Sequence, residues 1–368
     1  MFKKHNFGAG PCILPPTVIS EAAKAVIDWN GSGLSILEVS HRSPEFESVM
    51  TKTEVLVREL LKVPDSFSVL FLQGGASTQF SMVAANFLPV SARASYLDTG
   101  FFSQKAIKEA GFFGEVEIVG SSRDGEYSYI PDNFEVSPDS AYLHLTSNNT
   151  IEGTQISSFP RTSRPLVCDM SSDIFSREIN VCEFDLIYAG AQKNIGPAGM
   201  TLVIARNSFL DSVKHALPSM SDYRILRENG SMFNTPPVFS IYVAMLNLIW
   251  LKNQGGVREI EIRNRKKAKL LYAEIDRNPL FKGRSNAAHR SIMNVTFMAR
   301  DEITTTEFLK LAEKRGMVGI RGYRAVGGFR ISLYNALPLE SVRALVDLMI
   351  EFEKISLMNG GFAPEVHS

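Results

Sequence analysis

The chain has 368 residues, room for two domains, and its 45% hydrophobic and 21% charged content supports a packed core and excludes a disordered chain. Lys+Arg and Asp+Glu both number 39, so the net charge is zero and there is no basic excess of the kind that marks a nucleic-acid partner. Cys12, Cys168 and Cys182 are odd in number and lack CxxC spacing, which argues for a reducing compartment without a disulfide frame. None of the six histidines has a second ligand at metal-site spacing, so no metal is expected.

The opening residues carry two lysines but no apolar stretch behind them, and so do not read as a secretory leader. The most apolar helical stretch, 241–251, is too short for a bilayer, so no membrane partner and a cytoplasmic location are expected. Residues 1–15, broken by Gly8, Gly10, Pro11, Pro15 and Pro16, read as an extended arm. A helix is expected over 16–29, ended by Gly31 and Gly33. His41 and Arg42 follow in a non-helical segment, either as incidental loop charge or as anion ligands. An amphipathic helix is expected over 45–61.

Residues 68–72 read as a strand, followed by Gln73-Gly74-Gly75-Ala76-Ser77-Thr78-Gln79 and a helix. Glycines let backbone approach an anion and the first helical N–H groups face it, so this unit suits a phosphate; a plain strand-to-helix turn is the alternative. It lacks the lysine of a P-loop and is no GxGxxG fingerprint. Residues 94–100 form a strand end that delivers Phe101 and Phe102, as core or as a stacking surface. Residues 141–145 lead into Thr146-Ser147-Asn148-Asn149-Thr150. Strands alternating with helices and ending in polar or glycine residues predict a mostly parallel sheet with ligands at its carboxyl edge.

Pro165-Leu166-Val167-Cys168-Asp169 is an apolar run ending in a carboxylate, and apolar runs at 185–190 and 200–205 flank Gln192-Lys193. Lys193 is either an exposed turn lysine or an amine placed to form a Schiff base with a carbonyl cofactor. Asp169 is either an Asx-turn residue or the carboxylate that keeps a pyridine nitrogen protonated. Two prolines break the chain at Gly230-Ser231-Met232-Phe233-Asn234-Thr235-Pro236-Pro237. A long helix follows, then a boundary at Gly255-Gly256 and a charged helix over 257–278. The remainder reads as a smaller α+β domain with strands at 292–297, 319–320 and 329–333 and a last helix over 339–352. Arg321, Arg324 and Arg330 fall in a glycine-rich stretch that suits either oxyanion recognition or a solvated turn.

Several of these segments together resemble the phosphoserine aminotransferases, within the class V branch of fold-type I pyridoxal-phosphate enzymes. They are Asn6-Phe7 to Gly10-Pro11, Glu38-Val39-Ser40-His41-Arg42, residues 188–199, residues 230–237, Val326-Gly327-Gly328 and Tyr334-Asn335-Ala336. The resemblance spans nearly the whole chain. It implies an α/β fold-type I transferase: a large cofactor domain over 16–256 with a mostly parallel sheet flanked by helices, and a small domain over 257–368 with the arm 1–15 packed near it. It implies one pyridoxal 5'-phosphate per subunit, with Lys193 as the Schiff-base lysine and Asp169 on the pyridinium nitrogen. Phe102 would stack on the ring, Thr150 would bond its 3-hydroxyl, and Gln192, Ala76 and Ser77 would hold the phosphate. Asn234 and Thr235 would reach the cofactor of a second subunit in a homodimer. Arg330 would bind the substrate α-carboxylate, and His41, Arg42 and Arg324 the phosphate of phosphoserine or the distal carboxylate of glutamate. The implied reaction exchanges the amino group between phosphoserine and 2-oxoglutarate, in serine biosynthesis and also with phosphohydroxythreonine in pyridoxine biosynthesis.

The chain departs from the enterobacterial pattern at Ser77, Phe102 and Tyr323, where that pattern has arginine, tryptophan and histidine. The phosphate site thereby loses a charge, while the reaction type is untouched. Competing readings are a class V transaminase for small substrates, a cysteine desulfurase, or a ligand-binding protein that has lost catalysis. A desulfurase needs a mobile reactive cysteine, whereas Cys168 and Cys182 fall in or beside expected strands.

Overall fold

The computed structural model describes residues 4–358; the first three residues of the expected arm and the last ten of the expected small domain lie outside them. Seven strands build the main sheet: β1 (Phe67–Leu72), β2 (Arg93–Asp98), β3 (Glu115–Ser121), β4 (Ser140–Thr146), β5 (Leu166–Asp169), β6 (Leu186–Gly190) and β7 (Thr201–Arg206). Their spatial order is β1-β7-β6-β5-β4-β2-β3. Only β7 runs antiparallel to its neighbours, β1 and β6. Its start therefore meets the carboxyl ends of the other strands.

The central strands are apolar on both faces because helices cover both. In β6, Ile187 and Ala189 join one core while Leu186 and Tyr188 join the other; in β7, Leu202 and Ile204 oppose Val203 and Ala205 in the same way. The first core is closed by α1 (Pro16–Ile27), α2 (Pro44–Leu61) and a later helix, α5 (Val238–Asn253). The second is closed by α3 (Gly75–Phe87) and α4 (Phe101–Ala110). Within α1, Val18, Ala22 and Ala25 are buried as the helical stripe requires, whereas Val26 is 37% exposed.

A third core lies around a three-stranded antiparallel sheet of β8 (Phe281–Gly283), β9 (Asn294–Ala299) and β10 (Phe329–Ser332). The helices α6 (Gly256–Arg277), α7 (Glu302–Lys314) and α8 (Leu339–Met358) pack on it. Phe7 is fully buried in this core, and His5–Asn6 pairs in parallel with Met317–Val318.

Three expectations need correction. The short strand expected at 319–320 lies at Met317–Val318 instead, because Gly319 takes φ +75° and turns the chain; a Cβ there would stand 2.6 Å from the Gly8 amide nitrogen. The strand expected over 292–297 runs from Asn294 to Ala299, and the last helix continues to Met358. The edge strand β3 was not anticipated. Its residues are all exposed or half-buried, so it lacks the apolar run that betrays an inner strand.

Candidate active site

Most of the cavity wall gathers at one edge of the main sheet, joined by Gly10 and Pro11 of the arm. Gly74, Gly75, Ala76 and Ser77 follow β1, Phe102 follows β2, and Thr146, Asn148 and Thr150 end or follow β4. Asp169 ends β5, Gln192 and Lys193 follow β6, and Gly199 and Met200 precede β7. These residues line a cavity of about 470 Å³. Strand order reverses around this edge, the place where open α/β sheets leave a crevice.

Lys193 sits in the β6–β7 turn and is 8% exposed. Its Nζ donates to Thr150 Oγ1 at 2.7 Å and lies 5.4 Å from the centre of the Phe102 ring. Burial pulls its pKa from 10.5 down to about 8; Asp169 opposes that shift and the charge of Arg330 adds to it. A neutral amine is thus available near neutrality, the state a nucleophile or base requires.

The turn is held from several sides. Gly196 N–H donates to Ala191 O at 2.8 Å, and Asn247 Nδ2 donates to Asn194 O and Ile195 O, each at 2.9 Å. Cys12 N–H donates to Gln192 O at 3.0 Å, and Cys12 Sγ lies 2.6 Å from Lys193 O. Asn335 N–H donates to Asn194 Oδ1 at 3.0 Å. Lys267, itself buried, donates to the carbonyls of Leu333, Tyr334 and Leu337 and so fixes the segment carrying Asn335.

Asp169 is 4% exposed and stands in register between Thr146 and Tyr188 of the flanking strands. Its Oδ1 accepts the Ser171 amide at 2.8 Å. Burial raises its pKa, and both Ser171 and Lys193 act against that rise. A buried carboxylate facing a cavity is costly unless a cation or strong donor meets it. A protonated pyridine nitrogen is such a donor.

At the other end, α3 begins on Gly74 (φ +87°), where a Cβ would fall 1.8 Å from Thr78 Oγ1. The first amides of a helix have no partner inside it and carry the positive end of its dipole. Ala76 and Ser77 supply such amides at the cavity wall, with no lysine or arginine among the lining residues apart from Lys193. The donor set fits pyridoxal phosphate: an amine for the aldehyde carbon, a carboxylate for the ring nitrogen, an aromatic face, and a helix start for the phosphate.

The structure therefore brings Lys193, Asp169, Thr150, Phe102, Gln192, Ala76 and Ser77 together. Arg330, on β10, is half-buried with its Nε unpartnered, and its charge is felt at Lys193. The other expected residues do not line the cavity. Arg42, Arg324, Asn234 and Thr235 are exposed, and His41 is half-buried with Nε2 lacking a partner. Asp169 forms the Asx-turn that its sequence offered, accepting from the Ser171 amide two residues on, and it also lines the cavity. Sequence reasoning missed the Cys12 contact, which spans 181 residues and leaves no local signal.

The family model described as "Aminotransferase class-V" matches residues 4–345. A relative named phosphoserine aminotransferase from Bacteroides thetaiotaomicron is 54% identical over 355 residues, covering 96% of this chain and 99% of that protein. A solved phosphoserine aminotransferase from Bacillus circulans subsp. alkalophilus superposes with a TM-score of 0.94 at 43% identity, covering 96% of this chain and 99% of that one. The solved phosphoserine aminotransferase from Trichomonas vaginalis, described as bound to PLP, gives a TM-score of 0.90 at 37% identity, with 95% and 100% covered. With a lysine, a carboxylate and a helix start meeting at one sheet edge and a family match over most of its length, this chain belongs to the class-V aminotransferases, on the fold-type I scaffold.

Proposed function

We propose that the chain is a pyridoxal-phosphate-dependent phosphoserine aminotransferase: O-phospho-L-serine + 2-oxoglutarate ⇌ 3-phosphonooxypyruvate + L-glutamate. The observation that carries this reading is the buried, weakly basic Lys193 at 2.7 Å from Thr150 in the Asp169 cavity, in a chain whose similar relatives bear that name. The reading extends to serine biosynthesis, to phosphohydroxythreonine in pyridoxine biosynthesis, to a cytoplasmic location and to a homodimer. No described helix is long and apolar enough to cross a membrane. The dimer is supported by Asn234 and Thr235, which are exposed and outside the cavity of their own chain. We also read the chain as a large unit over 16–256 and a small one over 257–368 with the arm against it. The separate third core and the pairing of His5–Asn6 with Met317–Val318 support that division.

Pyridoxal phosphate supplies an electrophilic carbonyl carbon and a ring that takes up the electron pair left at the substrate Cα. The chain does the rest. Asp169 keeps a proton on the ring nitrogen, because a buried carboxylate is stabilised by a positive partner. Lys193, whose pKa burial lowers to about 8, takes the Cα proton onto Nζ from its uncharged fraction. The Thr150 hydroxyl, the Phe102 face and the amides of Ala76 and Ser77, with Gln192, hold the cofactor still. Arg330 takes the α-carboxylate. His41, Arg42 and Arg324 take the far anion, and a guanidinium pairs with either phosphate or carboxylate, so one pocket accepts both amino acids. Two substrates then alternate in one site, which gives ping-pong kinetics.

The test is glutamate formation from phosphoserine and 2-oxoglutarate by purified holoenzyme, with the visible band of the cofactor followed in the same cuvette. Glutamate formation, with bleaching of that band by phosphoserine alone, is expected. Faster turnover of alanine with glyoxylate than of phosphoserine would transfer the chain to the small-substrate transaminases.

A further inference from the structure

Glu152 takes no part in the mechanism above, yet it is 4% exposed and lies just beyond Thr150. Its Oε1 accepts the Phe101 amide at 2.8 Å, at the start of α4 and next to Phe102. Its Oε2 is buried without a hydrogen-bond partner. Its backbone carbonyl accepts from Thr296 Oγ1 at 2.8 Å and Ser285 Oγ at 3.0 Å, which ties it to the small sheet. Thr296 is the cross-strand partner of Arg330, and Arg330 too has a buried, unpartnered Nε. The charge of Glu152 supports the protonated form of Arg330 against its burial, while burial of Glu152 itself raises its pKa and the Phe101 amide and Arg284 oppose that rise. Gly100 leaves room for the carboxylate, since a Cβ there would come within 2.5 Å of Glu152 Cδ.

A helix cap needs one acceptor, which an amide or a hydroxyl also provides. A second carboxylate oxygen left buried and unsatisfied is expensive and calls for a reason. We infer that Glu152 is a positioning residue of this site: one oxygen holds the Phe101–Phe102 platform, and the other is a standing negative charge beside Arg330 that an incoming substrate carboxylate must oppose. This rests on the reading of Arg330 as the carboxylate-binding arginine. Its chemical logic is release. In an alternating reaction each keto acid must leave the arginine before the next amino acid binds there, and a nearby anion weakens every carboxylate held by that arginine.

The test uses glutarate, an unreactive dicarboxylate, titrated calorimetrically into wild-type and variant holoenzyme, so that it does not depend on turnover with phosphoserine. Glu152→Gln keeps an acceptor for Phe101 and removes the charge; it should bind glutarate about three- to tenfold more tightly, the size of one screened charge at short range. The Michaelis constant for glutamate should fall in parallel without a rise in kcat. Equal or weaker glutarate binding overturns the inference. In an Arg330→Gln background the same substitution should change affinity less than about twofold, because independent effects add and coupled ones do not; a full effect there would place the charge's action elsewhere and overturn it as well. Glu152→Asp keeps the charge but draws the oxygen away from Phe101. It should shift the visible band of the bound cofactor, and an unmoved band overturns the platform role. This second variant also decides the matter should Glu152→Gln not fold. Failure of phosphoserine turnover by the wild type would remove the proposed reaction while leaving the glutarate measurements readable.

Discussion

Lys193 and Arg42 are both basic groups assigned to one reaction, but Lys193 is 8% exposed and held on several sides, whereas Arg42 stands in solvent on the loop before α2. The cofactor end of the pocket is largely assembled within one chain, on strand ends and a helix start. The distal anion end is not: His41, Arg42 and Arg324 lie off the cavity wall. The difference teaches where each demand falls. Bond chemistry needs groups fixed to a fraction of an ångström, which a sheet edge provides. Recognition of a bulky, hydrated anion tolerates loops that are brought up by another element or a second copy.

The largest expected effect breaks the fixed end. Lys193→Ala should lower kcat by about 10³-fold or more, since it removes the base as well as the attachment point; a variant turning over at the wild-type rate would dismiss Lys193 from the chemistry. Asp169→Asn keeps the shape and loses the charge, and should cost roughly 10²-fold in kcat with a smaller change in KM. Single-turnover spectra would check this, and an effect confined to KM would mean that Asp169 serves binding alone.

A smaller effect is expected at the open end. Arg42→Lys should raise the KM for phosphoserine about tenfold through loss of a bidentate pair, leaving kcat within about twofold. An unchanged KM would take Arg42 out of the anion site. The mildest test concerns pH. Burial holds the Lys193 amine near 8 rather than 10.5, so its neutral fraction falls below that pH and saturates above it. The rate at which cofactor-free enzyme captures pyridoxal phosphate should therefore rise with pH and level off above about 8. Asp169 favours the charged amine, so Asp169→Asn should move that midpoint down. A midpoint near that of a free lysine would show that the cavity is wet.

Much of this was legible in the chain because the informative residues are local. The apolar runs around Lys193, the run ending in Asp169 and the glycines after β1 each announce a strand end within a few residues. Strand β3 was illegible because an exposed edge lacks that signal, and the short strand near Gly319 slid because two residues carry too little pattern. Glu152 was illegible for a different reason. Its partners Phe101, Ser285 and Thr296 are brought to it by tertiary packing, and an acidic residue after Thr150 carries no mark of burial.

The N-terminal arm has a consequence in time. His5–Asn6 pairs with Met317–Val318, the carbonyl of Ala9 accepts from the Tyr334 hydroxyl at 3.0 Å, and Cys12 reaches the backbone of Lys193. At roughly 5–20 residues per second, the arm waits from about fifteen seconds to a minute of synthesis before its partner strand exists. A nascent chain halted before Met317 carries the lysine, the aspartate and the cradle, but lacks the strand and the tyrosine that anchor the arm beside the lysine turn. Its catalytic centre is sealed only after Met317, Val318 and Tyr334 have been made.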